Sequence, residues 1–194
     1  DIHLEWEDIS GSHKKDFHYD IEVLDLPVDE MFTVQETSTK QDLNGLFTIS
    51  DQIVWAVGDS GTVLYTWNRG ATWQLKDLSI NENLSAITFV DDKTGWIVGE
   101  NGTILNTSNG GESWQKQDAS LVSDLNAVEF LNTQTGWCVG DGGAVYQTSN
   151  GGLDWRQIDS KSDDDYENLF ILNEQEVFIC GDGESILKTL DGGN

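Results

Sequence analysis

Positive charge is scarce in this chain of 194 residues: ten Lys and Arg stand against 35 Asp and Glu, for a formal net charge of -25. A surface of that sign, with a pI near 4.1, repels phosphate backbones and anionic headgroups. It excludes nucleic acid and membrane insertion and leaves cations and basic protein patches as the partners it attracts. Cysteine is nearly missing as well. Cys138 and Cys180 both lie in apolar, strand-like runs ("GWCVG" and "VFICG"), where a free thiol behaves as a small hydrophobe, so no disulfide framework is expected. No apolar run approaches the ~20 residues of a membrane span. The three histidines, His3, His13 and His18, sit in an irregular N-terminal stretch with no zinc-ligand spacing and read as surface residues. No GxSxG, P-loop or Cys-His nucleophile pattern is found. The sequence starts at Asp1 without Met, which predicts a processed protein or an excised piece.

What is present is a repeat. "TSNGGESW" at Thr107–Trp114 returns as "TSNGGLDW" at Thr148–Trp155, 41 residues later. Trp55, Trp96, Trp137 and Phe178 keep the same 41-residue spacing, as do Gly58, Gly99, Gly140 and Gly181, and Trp73, Trp114 and Trp155. The copies occupy 43–83, 84–124, 125–166 and 167–194. Cys138 and Cys180 are 42 residues apart, one off the period, which places them on opposite strand faces. A fixed period in this range signals a solenoid, a propeller or an array.

Each copy holds four short apolar segments separated by turn residues, in the second copy roughly 86–90, 95–98, 103–106 and 113–117, with no room for a helix. Val63, Leu64, Ile104, Leu105, Val145, Tyr146, Ile186 and Leu187 are apolar at consecutive positions, hence on both strand faces, as a sheet sandwiched between two neighbours requires. The expectation is an all-β fold: a β-propeller of four-stranded antiparallel blades, four clear repeats plus a degenerate N-terminal unit, in one domain over 1–194. In "TSNGGESW" the Asn caps its own turn, a glycine takes positive φ, the Thr or Ser before the Trp bonds back across the hairpin, and the Trp covers the blade's outer end.

The pattern "GWxVGxxGTILxTxNGGxSW" resembles the BNR or Asp-box propeller repeat, most closely the version of photosystem II stability and assembly factors, over 43–194. Asn68 and Trp73, Asn109 and Trp114, Asn150 and Trp155, and Asp191 carry the structural box. Arg69 departs from the usual Gly and Asp154 from the usual Ser or Thr. Within 1–42, "HLEWEDIS" resembles the strand after each box, which predicts that it closes the last blade with Trp6 as its capping ring. Residues 20–36 resemble the first two strands of a repeat, with Phe32 in the place of Phe178. The resemblance implies assembly-factor or cell-surface roles in an exported, extracellular, periplasmic or lumenal setting.

Two rows of residues are candidates for function. Asp59, Glu100, Asp141 and Asp182 put one carboxylate on each blade, a ring suited to Ca²⁺ or to a basic partner, unless each acid merely satisfies its hairpin. Asn44, Ser85, Asn126 and Glu167 open each innermost strand, where a channel mouth would contact a polar ligand or peptide. "SDDDY" at Ser162–Tyr166 is either a chelating or a solvated loop between blades. A sialidase of this repeat family needs three clustered arginines, and this chain has only Arg69 and Arg156. The reading is a non-enzymatic propeller presenting an acidic surface to protein or glycan. The alternatives are a glycoside hydrolase or a fragment of one, which needs two placed carboxylates, and a subunit that oligomerises through incomplete blades.

Overall fold

The computed structural model describes residues 33–183 and 186–193. The chain divides into two units, 1–34 and 35–194, and every blade belongs to the second. His3, His13, His18, the closing strand around Trp6 and residues 20–32 of the degenerate unit lie outside the described residues.

Blade 1 consists of β1 (Leu43–Thr48), β2 (Val54–Gly58), β3 (Thr62–Thr66) and β4 (Gln74–Leu75). Blade 2 consists of β5 (Leu84–Phe89), β6 (Gly95–Gly99), β7 (Thr103–Thr107) and β8 (Gln115–Lys116). Blade 3 consists of β9 (Leu125–Phe130), β10 (Gly136–Gly140), β11 (Ala144–Thr148) and β12 (Arg156–Gln157), and blade 4 of β13 (Tyr166–Ile171), β14 (Val177–Gly181) and β15 (Ile186–Thr189). Each is an antiparallel meander in chain order, and consecutive blades pack through their innermost strands. These are propeller blades. The helical content of the described residues is one 3-10 turn at Glu100–Gly102.

Two boundaries differ from the sequence reading. The innermost strand of the second copy starts at Leu84 rather than at residue 86, because it runs through a bulge. The outer strand is two residues long, since Ser113 and Trp114 belong to the box turn.

The bulge recurs in every blade. Register slips between Leu43 and Gly45, Leu84 and Ala86, and Tyr166 and Asn168, and Leu125 and Ala127 likewise face Gly140 and Val139. The extra residue is Asn44, Ser85, Asn126 or Glu167. A glycine answers the bulge across the ladder. A Cβ at Gly58, Gly99, Gly140 or Gly181 would stand 1.9, 2.1, 1.9 or 2.1 Å from the carbonyl oxygen of Asp42, Asn83, Asp124 or Asp165, far inside contact distance. The periodic glycine at the end of the second strand is therefore a clearance requirement.

Blades bury each other. Trp55, Val57 and Val63 of blade 1 pack on Leu84, Ile87 and Phe89 of blade 2, and Trp96, Val98 and Ile104 of blade 2 pack on Leu125, Val128 and Phe130 of blade 3. Trp96 stacks on Phe130 at 3.4 Å, and Trp155 meets Phe130 edge-on at 5.9 Å. Trp114 stands in the same relation to Trp55 and Phe89, edge-on at 5.9 and 5.8 Å. Trp137 closes the third boundary against Tyr166, Leu169 and Ile171 without a second ring stack. Cys138 is buried and Cys180 exposed, and both are free.

The box folds as expected, with a hub that the sequence reading missed. Asn68, Asn109 and Asn150 each accept, through Oδ1, the backbone N–H of Thr72, Ser113 and Asp154 at 2.9, 3.0 and 2.9 Å. The hub is the buried threonine at the start: Thr107 Oγ1 donates to Asn109 Oδ1 at 2.9 Å and accepts the N–H groups of Asn109 and Gly111 at 3.3 and 2.9 Å. Thr66, Thr148 and Thr189 repeat it. Arg69, where the other boxes have glycine, adopts φ +60° and is ion-paired with Asp51. The indole N–H groups of Trp73, Trp114 and Trp155 are buried without a partner among the described residues, so these rings act through apolar area.

Replacing Thr107 by Val keeps the shape and strands the buried Gly111 N–H and the part-buried Asn109 N–H. Thr107→Val is expected to cost about 2–4 kcal/mol, read as a lower urea midpoint with an unchanged slope.

Candidate functional site

The two rows of candidates meet at one rim. Asn44 Nδ2 donates to Asp59 Oδ1 at 2.8 Å and to the Leu84 carbonyl of the next blade at 3.1 Å. Asn126 repeats this with Asp141 Oδ1 at 2.8 Å and the Tyr166 carbonyl at 3.1 Å. The bulge explains the reach, because the extra residue turns its side chain toward the hairpin turn that the acidic residue opens. In blade 2 the bulge residue is the shorter Ser85, and Asn83 takes over by donating to Glu100 Oε1 at 2.8 Å. In blade 4 the pair is Glu167 and Asp182, two acids with no amide donor between them, and Glu167 is exposed.

A third row completes the rim. Asn83 Oδ1 accepts the N–H of Ser60 in the preceding blade at 2.9 Å, Asp124 Oδ1 that of Asn101 at 2.7 Å, and Asp165 Oδ1 that of Gly142 at 2.8 Å. Each is an inter-blade staple between the loop entering one blade and the hairpin of the blade before it. Asp42 holds the same position in blade 1, with its side chain exposed. The sequence signal was available, since 42, 83, 124 and 165 share the 41-residue spacing.

"SDDDY" resolves into structural parts. Asp165 is the staple, the Asp164 carbonyl accepts the Gly143 N–H at 2.9 Å, and Tyr166 is no loop residue. It opens β13, 1% exposed, in the place of Leu84 and Leu125. Among the described residues no three His, Cys, Asp or Glu side chains gather around a common point that could hold a cation. The carboxylates of Asp59, Glu100 and Asp141 are held one per blade, each with one oxygen committed to an amide and the other left for solvent or a partner.

One carboxylate is set apart by its surroundings. Glu129, half-buried in β9, is held above the usual range of its kind because burial disfavours its charge, although the Ile171 N–H donates to Oε2 at 2.9 Å and works in the opposite direction. Glu82 is lowered by its own N–H and that of Asn81, with Lys116 adding to the effect. Burial also pushes the Cys138 thiol well up, so it is inert packing. Two clefts lie in register at successive blade boundaries, of about 360 Å³ beside Gly142, Ile158 and Asp163 and about 280 Å³ beside Asn101, Gln117 and Leu121. Neither lining includes a His or a Cys.

The model of the photosynthesis system II assembly factor YCF48 family matches residues 69–159 and 112–194, more than half of the sequence. The chain belongs to the YCF48 family. Among solved structures it is similar to "YCF48 bound to D1 peptide", with 22% identity, TM-score 0.63, 78% of this chain and 53% of that one covered. It is similar to YCF48 from Cyanidioschyzon merolae, with 22% identity, TM-score 0.65 and coverages of 81% and 56%. The chain thus spans about half the length of the YCF48 structures it matches. Likeness extends to a Niastella koreensis GH74 enzyme at 19% identity and TM-score 0.59, covering 78% of this chain and 23% of that one. At these identities the structures show a shared propeller fold. No curated protein matches the sequence significantly. No helix among the described residues is long and apolar enough to cross a membrane.

The Glu129 assignment has a definite sign. A carboxylate raised in the folded state favours folding below its unfolded value and loses that contribution as pH rises through the folded value. Glu129→Gln, which keeps an acceptor for Ile171, is therefore expected to be more stable than the parent at pH 7. The gap should close as pH falls below the ordinary 4.5, as followed by thermal unfolding across pH.

Proposed function

We propose that this YCF48-family chain is a non-catalytic binding propeller that docks a cationic protein segment on its acidic rim in an exported or lumenal setting. The observation that carries the reading is the rim itself. Asp59, Glu100 and Asp141 are fixed by Asn44, Asn83 and Asn126, so a row of oriented acceptor oxygens is presented without the loss of side-chain freedom that weakens ordinary surface ion pairs. Asp42, Asp124, Asp165, Glu167 and Asp182 add charge of the same sign, and no Lys or Arg occupies any of these positions. A related propeller seen with a D1 peptide supports a peptide or protein as the class of partner. A strongly acidic rim selects the basic ones among these.

Enzymatic readings have less behind them. The two arginines are engaged apart: Arg69 with Asp51, and Arg156 with Gln147 Oε1 at 2.6 Å and the Gly193 carbonyl at 3.0 Å. Glu129, the described carboxylate with raised proton affinity, is already committed to a backbone N–H of the next blade. Incubation with β-glucan polysaccharides should release no reducing ends; measurable release that disappears on substitution of a rim carboxylate would favour the glycoside hydrolase reading.

Binding is tested with a fluorescent lysine- and arginine-rich peptide. The triple change Asp59→Asn, Glu100→Gln and Asp141→Asn preserves the acceptors for the three asparagines. It should weaken binding at least tenfold, a change of about 1.4 kcal/mol. A matching triple change at the opposite, box end of the blades (Asp51→Asn, Asp91→Asn and Glu112→Gln) should do much less. Affinity should fall as NaCl rises. Equal losses from both sets would show that net charge alone is acting and would remove the rim as the site.

A further inference from the structure

The cleft at the boundary of blades 3 and 4 differs from the one before it in ways the repeat does not require. At the boundary of blades 2 and 3, Asn101 stands at the hairpin tip, and Ala119 and Leu121 of the following linker pack against the core. One period later the same positions hold Gly142, Ser160 and Ser162, and the cleft grows from about 280 to about 360 Å³. A Cβ at Gly142 would meet nothing within 4 Å, so the hairpin tip opens on free space. The walls are tied to each other all the same. The Gly143 N–H donates to the Asp164 carbonyl at 2.9 Å, and Ser160 Oγ lies 3.1 and 3.0 Å from the carbonyl oxygens of Gly143 and Ser162. Gly142 follows the rim carboxylate Asp141 in the chain, and its own N–H is held by the Asp165 staple, so the cleft opens directly off the acidic rim. Its charge differs as well. Lys116 lines the earlier cleft and Gln157 takes its place in this one, while Asp163 stands one period after Val122. The Lys161 ammonium is paired with Asp159. Among the described residues, no hydrogen bond or ion pair engages the Asp163 carboxylate or the Gln157 amide.

We propose that this cleft receives one lysine or arginine side chain of the segment docked on the rim, with the charged head at Asp163 and the stem along Ile158. The inference rests on the rim reading above and adds to it an anchoring pocket at a single blade boundary. Two sets of exchanges carry it. Gly142 and Ser162 in place of Asn101 and Leu121 make the room, and Gln157 and Asp163 in place of Lys116 and Val122 remove a cation and add a carboxylate. A long apolar stem ending in a charge is what a half-buried Ile158 flanked by an unengaged carboxylate and amide accommodates. Because the hairpin and the linker are bonded together before anything binds, filling the cleft orders little beyond the entering side chain. The earlier cleft, narrower and lined by Lys116, repels the same group.

Placing the earlier boundary's residues in this cleft tests the proposal. Gly142→Asn with Ser162→Leu copies Asn101 and Leu121, and the backbone suits it, since Gly142 and Asn101 share a left-handed φ of +65° and +54°. The net charge is unchanged, so a loss of binding is not a charge effect. Titrations with fluorescent all-arginine and all-lysine peptides of equal length, followed by anisotropy, should show the dissociation constant of at least one rising roughly tenfold, the scale of one charge-assisted hydrogen bond. The peptide that responds identifies the cation the cleft holds. Asp163→Asn, at an exposed position, should weaken that peptide severalfold, and the charge-matched Asp118→Asn in the earlier cleft should weaken it less; this pair decides if the filled variant does not fold. Unchanged affinity on filling the cleft, with the loss from the rim triple change intact, would overturn the pocket and leave the rim standing. Equal losses from Asp118→Asn and Asp163→Asn would overturn it as well. A loss on filling the cleft with none from the rim triple change would keep the pocket and remove the rim.

Discussion

Each blade of this protein has two apolar faces and can shield neither by itself. The fold therefore depends on one contact, the burial of the far face of a blade by the near face of the next, and its features read as means of making that contact close. Trp55 and Trp96 project from the second strand onto Phe89 and Phe130 of the next blade, with Trp114 and Trp155 set edge-on against those rings. The box turn comes so near that a Cβ on Gly111 would stand 2.3 Å from the Trp55 ring, and one on Gly193 2.6 Å from Trp137. The repeated eight-residue turn is thus an inter-blade element. Its Thr–Asn network holds a left-handed glycine against the preceding blade's tryptophan.

The same contact accounts for what was legible in the sequence. Packing that repeats every blade demands side chains that repeat every 41 residues, so the period, the strand order and the box capping could be read from spacing alone. Tyr166 was misread as the end of an acidic loop because three aspartates precede it, although its period places it with Leu84 and Leu125, and burial decided the matter. The bulge escaped notice for a different reason. A slip of one residue in the ladder leaves no compositional mark, and Asn44, Ser85, Asn126 and Glu167 share no chemistry beyond polarity. Ile186 and Leu187 carry the same apolar signature as their counterparts, yet Ile186 is exposed, because a pattern records what a face is made for and not whether it is covered.

The candidate site was half legible. Both rows of rim residues were visible from their spacing, but that they touch could be seen only in three dimensions, since Asn44 lies in β1 and Asp59 in the turn after β2, and they meet because of the bulge. The bond alters the chemistry expected of the carboxylates. Four acids converging on a cation would share it among their oxygens, whereas an acid held by a neutral amide in its own blade has one oxygen engaged and leaves the other for a partner. The arrangement suits a long, cationic partner that touches several blades better than a single ion.

Charge and packing divide the molecule between them. The blade faces are apolar and carry the stability, while the rim and the inter-blade loops are acidic and, apart from their staples, face solvent. A net charge this large works against any compact state, and repulsion among rim carboxylates would by itself splay the blades. The staples oppose that tendency locally, since Asn83, Asp124 and Asp165 each bind a backbone N–H of the preceding blade at the level where the acids are densest. Neighbouring blades are thus tied at the acidic rim as well as at the core. The third row of polar residues supplies that tie, and the period demands it no less than it demands the tryptophans.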